Sequence, residues 1–467
     1  MANNGHNGHH VPEALGLTPA EITADQVSRV VSSGPKYRTA LILSGALFAL
    51  GIVGFVIRAL EGFDDRSIWG YYAATMVWLL TTAGAAPLSA FAFRMTKANW
   101  RKPMVRAAEI WGAVTIYIFL LLIPMYFMIP SSQTGADSFR PTIWFHASWG
   151  APHLWSAMGM LGFILAAACF FWITTVPDHA VLRDSDASRS WNRRLAIRWR
   201  GTSTQWQILQ VGIILFGTFF FMGLFTAHFL VPSDFALALV PGWKDAIFPA
   251  YHMLTALQGG LATLIVTMYV MRRWGGLSDY IKMEPFWALT KPLIATCFLW
   301  FYFWWCAFIV YWFGRSDGEI GVLRYIQFET YRPFFLAGFL LCFLIPGILL
   351  IANPVRKSII GPTIVSLIIL VGLFFDRIRI YVASFGVPND EVGHHAFDLS
   401  HALPAMILPD AIDIMMIVGA ISGAVFVYLL VTRLVPPISM WEMKEDVLLR
   451  VIRPLLRGTY TLIGKPR

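Results

Sequence analysis

Four histidines and one aspartate lie near the ends of long apolar segments, where a membrane would meet water. They are His146, His153, His228, Asp234 and His252. The pKa of an unperturbed imidazole is about 6.5, so a histidine beside a carboxylate can accept and release protons near neutral pH. Such a layer suits the oxidation of a quinol, which loses a proton with each electron. The alternative is that each histidine only hydrogen-bonds lipid headgroups or loop carbonyls, and it stays open.

Two of these histidines are also candidate haem ligands. A haem b needs two imidazoles that face each other from neighbouring helices at matched depth. His228 and His252 could just meet this requirement, and no second pair lies deeper in the membrane. Iron–sulfur clusters need about four convergent thiolates. The cysteines, in contrast, each stand alone in an apolar run: Cys169, Cys297, Cys306 and Cys342. We expect no haem, no iron–sulfur cluster and no other metal site in this chain.

A second group of ionisable residues lies inside the apolar segments or at their ends. Its members are Glu109, Asp178, Arg183, Asp376 and Arg377. An ionisable side chain in hydrocarbon is costly unless it is paired or hydrated, so each member is a candidate for function. Two interpretations stay open, namely stops on a proton path and structural ion pairs within a helix bundle.

The composition indicates which kind of protein must position these groups. Hydrophobic residues make up 57% of the 467 residues and charged residues 13%, against about 45–50% and 25% in soluble proteins. These proportions are typical of an integral membrane protein. The net charge of +9 is then explained by basic cytoplasmic loops, and binding to nucleic acid is excluded.

Ten segments are long enough to cross a bilayer, which requires about 20 mostly apolar residues. The predicted spans are 39–58, 68–92, 106–129, 153–175, 206–230, 247–271, 289–313, 330–352, 359–382 and 412–436. The loops after spans 2, 4, 6 and 8 and the C-terminal tail are rich in lysine and arginine, which mark the cytoplasmic side. We predict an all-α polytopic membrane protein with about ten transmembrane helices and both termini cytoplasmic.

Two polar tails flank the transmembrane part. The predicted division is a cytoplasmic N-terminal tail (1–36), a transmembrane domain (37–437) and a cytoplasmic C-terminal interfacial tail (438–467). Thr18 and Glu21 form a capping-box pattern with Pro19 at the first helical position, which predicts a short helix to about Val31. Alternating apolar and charged residues over 440–456 predict an interfacial helix.

Several short strings of the sequence occur together in one family of membrane proteins. They are Val176-Pro177-Asp178, Leu182-Arg183-Asp184, Trp199-Arg200-Gly201-Thr202, Ser233-Asp234-Phe235-Ala236, Pro241-Gly242-Trp243, Ile247-Phe248-Pro249, Phe375-Asp376-Arg377-Ile378 and Arg433-Leu434-Val435-Pro436. On these strings the chain resembles the NrfD/PsrC-like integral membrane subunits, and its ten spans are similar to the ActC-type subunit of alternative complex III. The resemblance extends over most of 37–445 and is most specific at 178–260.

The resemblance implies a fold and a role. The fold would be two four-helix bundles, spans 2–5 and 6–9, with two flanking helices. The role would be binding of a quinone, of the menaquinone type, near the outer face of the bacterial cytoplasmic (inner) membrane, by a subunit without its own haem or cluster. The implied partners are an iron–sulfur/molybdopterin-like subunit and c-type cytochrome subunits on the outer face, and a second NrfD-like membrane subunit. Half channels lined by charged residues are implied for protons.

The sequence departs from the family at its quinone and proton positions. Thr81-Thr82-Ala83-Gly84 replaces a Gly-His in span 2, and Pro124-Met125-Tyr126-Phe127 replaces a His-Leu-Gly-Arg after span 3. Trp155-Ser156 replaces a Trp-Asp, and Trp305 or Cys306 stands where span 7 would carry a glutamate. Three hypotheses follow: a quinone-binding subunit with a rearranged site, a structural anchor of the same fold without quinone chemistry, and a secondary transporter. A transporter usually shows paired helix breaks in both halves, which this sequence lacks.

Overall fold

The computed structural model describes residues 16–129, 153–185, 188–388, 399–455 and 458–463. The helices are α1 (Pro19–Val31), α2 (Pro35–Glu61), α3 (Gly70–Thr82), α4 (Pro87–Met95), α5 (Val105–Leu122), α6 (His153–Arg183), α7 (Ser190–Leu195), α8 (Ser203–Phe235), α9 (Phe248–Arg273), α10 (Met283–Gly314), α11 (Asp317–Leu323), α12 (Arg332–Phe339), α13 (Ile345–Ile351), α14 (Asn353–Arg356), α15 (Ile360–Arg377), α16 (Ala383–Phe385), α17 (Ala411–Val431) and α18 (Met440–Leu449). The strands β1 (Arg450–Leu455) and β2 (Gly458–Ile463) form an antiparallel pair.

Nine helical segments in the described ranges are long and apolar enough to cross a membrane. They correspond to predicted spans 1–8 and 10 and confirm the predicted fold class, an all-α polytopic membrane protein. The predicted ninth span is helical as well and consists of α15, a π-helical turn at Ile378–Val382 and α16. This span is not among the nine, and it carries three charged residues, Asp376, Arg377 and Arg379.

The long helices pack as two groups and an outer pair. In the first group, α3 and α4 together form span 2 and lie beside α5, α6 and α8. In the second group, α9 packs against α10 and α15, and α15 packs against α12 and α13. The outer pair, α2 and α17, covers the first group through α5 and α3. The packing agrees with the predicted two bundles and two flanking helices, and α9 joins the bundles because it also contacts α3 and α8.

Glycines allow close contact at two helix crossings. A methyl group on Gly51 of α2 would overlap the backbone of Gly419 of α17, so these helices touch at their backbones. On α9, a methyl group on Gly259 would lie 2.7 Å from the Thr81 carbonyl oxygen, and one on Gly260 would lie 2.9 Å from that of Ala85. The second crossing brings the polar residues of α9 against α3.

The bundle has two ends, and we call the one with loops 96–104, 188–202 and 274–282 the basic end. Helix α18 lies there and packs against α1 and α6. The Thr18 hydroxyl accepts a hydrogen bond from the Glu21 N–H, and the Glu21 carboxylate accepts one from the Thr18 N–H, which confirms the predicted capping box and helix. The predicted helix over 440–456 is too long, because β1 begins at Arg450. β-branched residues favour a strand at this point, and Pro454 disfavours a helix interior.

Candidate functional site

Two histidines from neighbouring helices touch each other inside the bundle. Nδ1 of His228, on α8, lies 2.7 Å from Nδ1 of His252, on α9. Both side chains are completely buried. One of the two nitrogens must donate and the other accept, so only one of the two Nδ1 atoms carries a proton in this hydrogen bond. The two imidazole rings therefore contact each other directly.

A tyrosine extends this pair into a hydrogen-bonded chain. The Tyr381 hydroxyl lies 2.9 Å from Nε2 of His252, so His252 uses both ring nitrogens. Nε2 of His228 is buried without a hydrogen bond of good geometry to the described residues. Tyr381, His252 and His228 therefore form a row of three groups, each able to give and take a proton.

A buried carboxylate with two guanidinium groups lies beside α9, at the end of α15. Asp376 accepts hydrogen bonds from Tyr251 Oη at 2.8 Å, Arg379 Nε at 2.9 Å and Arg377 at 3.1 Å. Asp376 and Arg377 are fully buried and Arg379 is 4% exposed. The π-helical turn begins directly after Arg377, and such turns widen a helix and recur at functional sites. It leaves Arg379 and Tyr381 buried on one short segment.

Arg377 connects the carboxylate to the histidine pair. It donates to the hydroxyl of Thr255 on α9 and, at 3.3 Å, to that of Thr81 on α3. Thr255 in turn donates to the backbone carbonyl of His252 at 2.7 Å. The two sets that the sequence suggested separately, around His252 and around Asp376, thus form one polar cluster. We call it the outer cluster, since loop charges predict this end to face outside.

The outer cluster has a charge imbalance. Within its hydrogen-bonded groups the structure shows one carboxylate, Asp376, and two guanidinium groups, Arg377 and Arg379. Burial of an uncompensated cation is costly, because the low dielectric of the interior raises its desolvation penalty. The same low dielectric strengthens the attraction of this cation to an anion. The cluster therefore favours any nearby group that becomes negative.

A small cavity lies beside this cluster, towards the loop between α8 and α9. It has a volume of about 30 Å³, which is enough for a water molecule. Its polar lining includes Tyr251, Arg379 and Asp245, and Trp243 and Phe248 are among its aromatic walls. Burial raises the pKa of the Asp245 carboxyl above its usual 3.8, although the N–H groups of the next turn donate to it.

The other predicted residues of the histidine layer are less defined. Asp234 lies near the C-terminal end of α8 and is fully buried. His153 begins α6, but its side chain is outside the described part of the chain, and His146 is outside it altogether. The structure thus brings His228 and His252 together and gives no position relative to them for His146 or for the imidazole of His153.

The second predicted set divides between two places. Glu109 and Asp178 lie at the basic end, where Arg106 Nη atoms are 3.0 Å from Glu109 and 2.7 Å from Asp178. Arg94 pairs with Glu109 and, at 3.0 Å, with Glu442 of α18.

Arg183 lies apart from this basic-end ion-pair cluster, on the surface. Its Nε is 2.7 Å from the exposed carboxylate of Asp184. Only Glu109 and Asp178 of the second set therefore share a buried cluster at this end.

Neither family models nor curated proteins match this chain. The assignment therefore depends on the residues themselves. Three residues that link the outer cluster were not predicted from the sequence, namely Tyr251, Thr255 and Tyr381. A signal for two of them exists, because Tyr251 adjoins His252, and Thr255 follows His252 by three residues on the same face of α9. Tyr381 follows Arg377 by four residues, but the π turn that orients it has no recognisable sequence pattern.

Proposed function

We propose that this chain is the membrane subunit of a multisubunit quinol oxidoreductase, similar to the NrfD/PsrC-like subunits and closest to the ActC type of alternative complex III. In this proposal it lies in the bacterial cytoplasmic membrane with both termini cytoplasmic. It binds a quinol of the menaquinone type near the outer face. Electrons pass to an iron–sulfur/molybdopterin-like partner, and then to c-type cytochrome subunits. A second NrfD-like subunit completes the membrane part.

The observation that carries the proposal is the outer cluster with its excess cation. A quinol must lose protons as it is oxidised, and a buried positive charge stabilises the anion that deprotonation leaves. The row of Tyr381, His252 and His228 supplies groups that accept and pass on those protons. A purely structural network would be expected to balance its charges, as the basic-end ion-pair cluster does.

The lining of the small cavity fits a quinol ring in chemistry but not in size. Aromatic walls and a few convergent polar groups, Tyr251, Arg379 and Asp245, are typical of a site for a phenol-like headgroup. The present volume holds a water, so the ring enters only when the aromatic side chains Trp243 and Phe248 move. Direct contact of the headgroup with His228 or His252 would further require α8 and α9 to separate, and it stays a prediction.

In this arrangement each residue has a defined task. Tyr251 and Arg379 orient a quinol hydroxyl at the cavity. Two protons are released there: one passes through the Tyr251 hydroxyl to the Asp376 carboxylate, to which that hydroxyl donates, and the other leaves through water in the cavity. The electrons leave to the iron–sulfur partner, which is the oxidant, so no electron stays on this chain. The proposal allows proton movement along the cluster to accompany this step.

The alternative is an anchor of the same fold without quinone chemistry. The complete burial of His228 and His252, together with the small cavity, favours that alternative, because both are compatible with a packed interior. A secondary transporter is a third, weaker candidate. These candidates differ in what purifies with the chain and in what its tyrosines and histidines do.

The test is purification of the tagged full chain from its native membrane, followed by quinol oxidation with a soluble electron acceptor. We expect iron- and haem-containing subunits to co-purify. Tyr251→Phe should lower turnover or quinol affinity about ten- to a hundredfold, the effect of losing a hydrogen bond worth about 1–3 kcal/mol. His252→Leu should lower turnover because it interrupts the row of Tyr381, His252 and His228. Tyr428→Phe is the matched control, because Tyr428 is also buried and, among the described residues, its hydroxyl bonds a backbone carbonyl and a methionine sulfur.

Two results would count against the proposal. Unchanged turnover of both variants in an assembled complex would favour the structural anchor. Purification as a single-component oligomer without redox subunits would favour the transporter.

The control variant has its own outcome. Loss of turnover in Tyr428→Phe to the same degree would show that the assay reports general instability of the membrane core.

A further inference from the structure

A large groove opens at the basic end of the bundle, far from the outer cluster. It has a volume of about 790 Å³ and lies between the end of α6, the start of α8 and helix α18. One wall is apolar and includes Pro177 and Val181 of α6 and Leu448 of α18. Leu448 is 70% exposed, which is unfavourable in water and expected where a side chain meets lipid.

Three tryptophans form the floor of this groove. The ring centroids of Trp199 and Trp206 are 5.0 Å apart, and those of Trp206 and Trp441 are 5.6 Å apart. Tryptophan is enriched at the boundary between hydrocarbon and headgroups. A methyl group on Gly201 would lie 3.8 Å from the Trp206 indole nitrogen and 4.0 Å from that of Trp199. Two indole nitrogens therefore lie next to the space above the glycine.

Both carboxylates that line the groove already have a cation. Asp184 is held by Arg183, with distances of 2.7 Å and 2.8 Å to two guanidinium nitrogens. Glu445 lies 3.6 Å from the Lys102 ammonium.

Two further cations in the groove, Arg200 and Lys444, form no ion pair with the described residues. Arg200 is exposed and Lys444 is half-buried. Burial lowers the pKa of the Lys444 ammonium, and the charge of Asp178 only partly opposes this effect. A bound anion would relieve that cost.

We propose that this groove binds an anionic phospholipid. Its phosphodiester is held by Arg200, Lys444 and the indole N–H groups of Trp199 and Trp206, and an acyl chain lies along the Pro177–Val181 wall. Basic pockets between transmembrane helices are known to hold the headgroups of acidic lipids. A soluble phosphate would use the same donors but would leave the apolar wall and Leu448 without a partner, which is why the lipid is the chosen occupant.

The test uses the full chain in detergent micelles and native mass spectrometry. Phosphatidylglycerol is compared with phosphatidylcholine of the same acyl chains, and inorganic phosphate is added as a competitor. We expect phosphatidylglycerol to bind one molecule per chain and to bind more tightly than phosphatidylcholine. The double variant Arg200→Gln/Lys444→Gln should weaken this binding about tenfold or more, since each basic side chain near a headgroup contributes about a factor of five.

The control removes the same charge at the same end of the molecule. Arg193→Gln/Arg194→Gln changes two exposed residues of α7 that do not line the groove, and it should leave binding near the wild-type value. Leu448→Glu adds a negative charge at an exposed position, so it should weaken binding without affecting the fold. Leu448→Glu tests the proposal even if the double variant is unstable.

Three results would overturn the proposal. They are equal binding of the two lipids, unchanged phosphatidylglycerol binding in Leu448→Glu, and displacement of the lipid by inorganic phosphate at comparable concentration. The last result would identify a site for a soluble anion. None of these results bears on quinol oxidation, so this inference and the proposed function fail separately.

Discussion

Replacing Asp376 by asparagine would remove one negative charge from the outer cluster and keep the shape of the side chain. The Tyr251 hydroxyl can still donate to the amide oxygen of the variant. Arg377 is completely buried and Arg379 is 4% exposed, and both lose the carboxylate with which they pair. Breaking a buried ion pair by removing one partner costs about 3–5 kcal/mol, because a stranded charge stays in the low-dielectric interior. We expect Asp376→Asn to lower the free energy of unfolding by about that amount.

The assay is equilibrium unfolding in mixed micelles, with tryptophan fluorescence recorded as the fraction of denaturing detergent rises. Glu329→Gln provides the matched control, because Glu329 pairs with Arg324 at 2.6 Å while both side chains are nearly half exposed, 47% and 44%. An exposed pair contributes about 0–1 kcal/mol, so this control should hardly change the unfolding midpoint.

A triple variant separates stranded charge from lost packing. Asp376→Asn combined with Arg377→Met and Arg379→Met removes both cations and keeps much of their volume, and such replacements of whole buried ionic groups are often neutral or stabilising. It should be more stable than Asp376→Asn alone. The reasoning is refuted if Asp376→Asn costs no more than Glu329→Gln, or if the triple variant is the least stable of the three.

Three further predictions concern the fold and its orientation. Gly51→Ala should lower the stability of the α2–α17 contact by about 1–3 kcal/mol through overpacking, because its methyl group would overlap Gly419. Gly162→Ala is the control, because its methyl group meets nothing within 4 Å and should be neutral. Thermal unfolding compares the two variants. Asp245→Asn should be more thermostable than wild type at about pH 7 but equal to it at about pH 3. The Asp245 carboxyl has a raised pKa, so it binds its proton more tightly in the folded state, and the wild-type protein loses stability as pH rises past the usual pKa of an aspartate. A cysteine introduced at the exposed Ser188 should react with an impermeant thiol reagent only from the cytoplasmic side, and labelling from the outside would reverse the predicted topology.

Much of the transmembrane architecture could be predicted from the sequence, because hydrocarbon leaves few alternatives. A spanning segment must satisfy its backbone groups internally, so hydropathy alone marks the helices. The short helix at Pro19–Val31 was likewise predictable from Thr18 and Glu21, whose hydrogen bonds are local. The end of α18 was not, since the switch to a strand at Arg450 depends on pairing with β2.

The candidate site could be predicted only in part, for a different reason. The depth of His228 and His252 follows from helix counting, and the sequence correctly suggested that they could face each other. Their contact with the group around Asp376 depends on how α9 and α15 are rotated about their axes. That rotation is set by packing between residues more than a hundred positions apart, as in the bond from Tyr251 to Asp376. The π turn after Arg377 adds a change of register that propensities do not reveal.

The two buried polar clusters of the described residues differ in charge balance. At the basic end, Arg94 and Arg106 lie among Glu109, Asp178 and Glu442, and Arg101 lies 3.7 Å from Glu442. Three cations thus meet three carboxylates, which is the arrangement that holds helices together at least electrostatic cost.

Within its described hydrogen-bonded groups, the outer cluster has two guanidinium groups and one carboxylate. Under the proposed function, this excess of positive charge stabilises a proton-donating substrate once it has become an anion. The proposal therefore assigns a chemical role to residues 376–381 and a structural role to the ion pairs at the basic end.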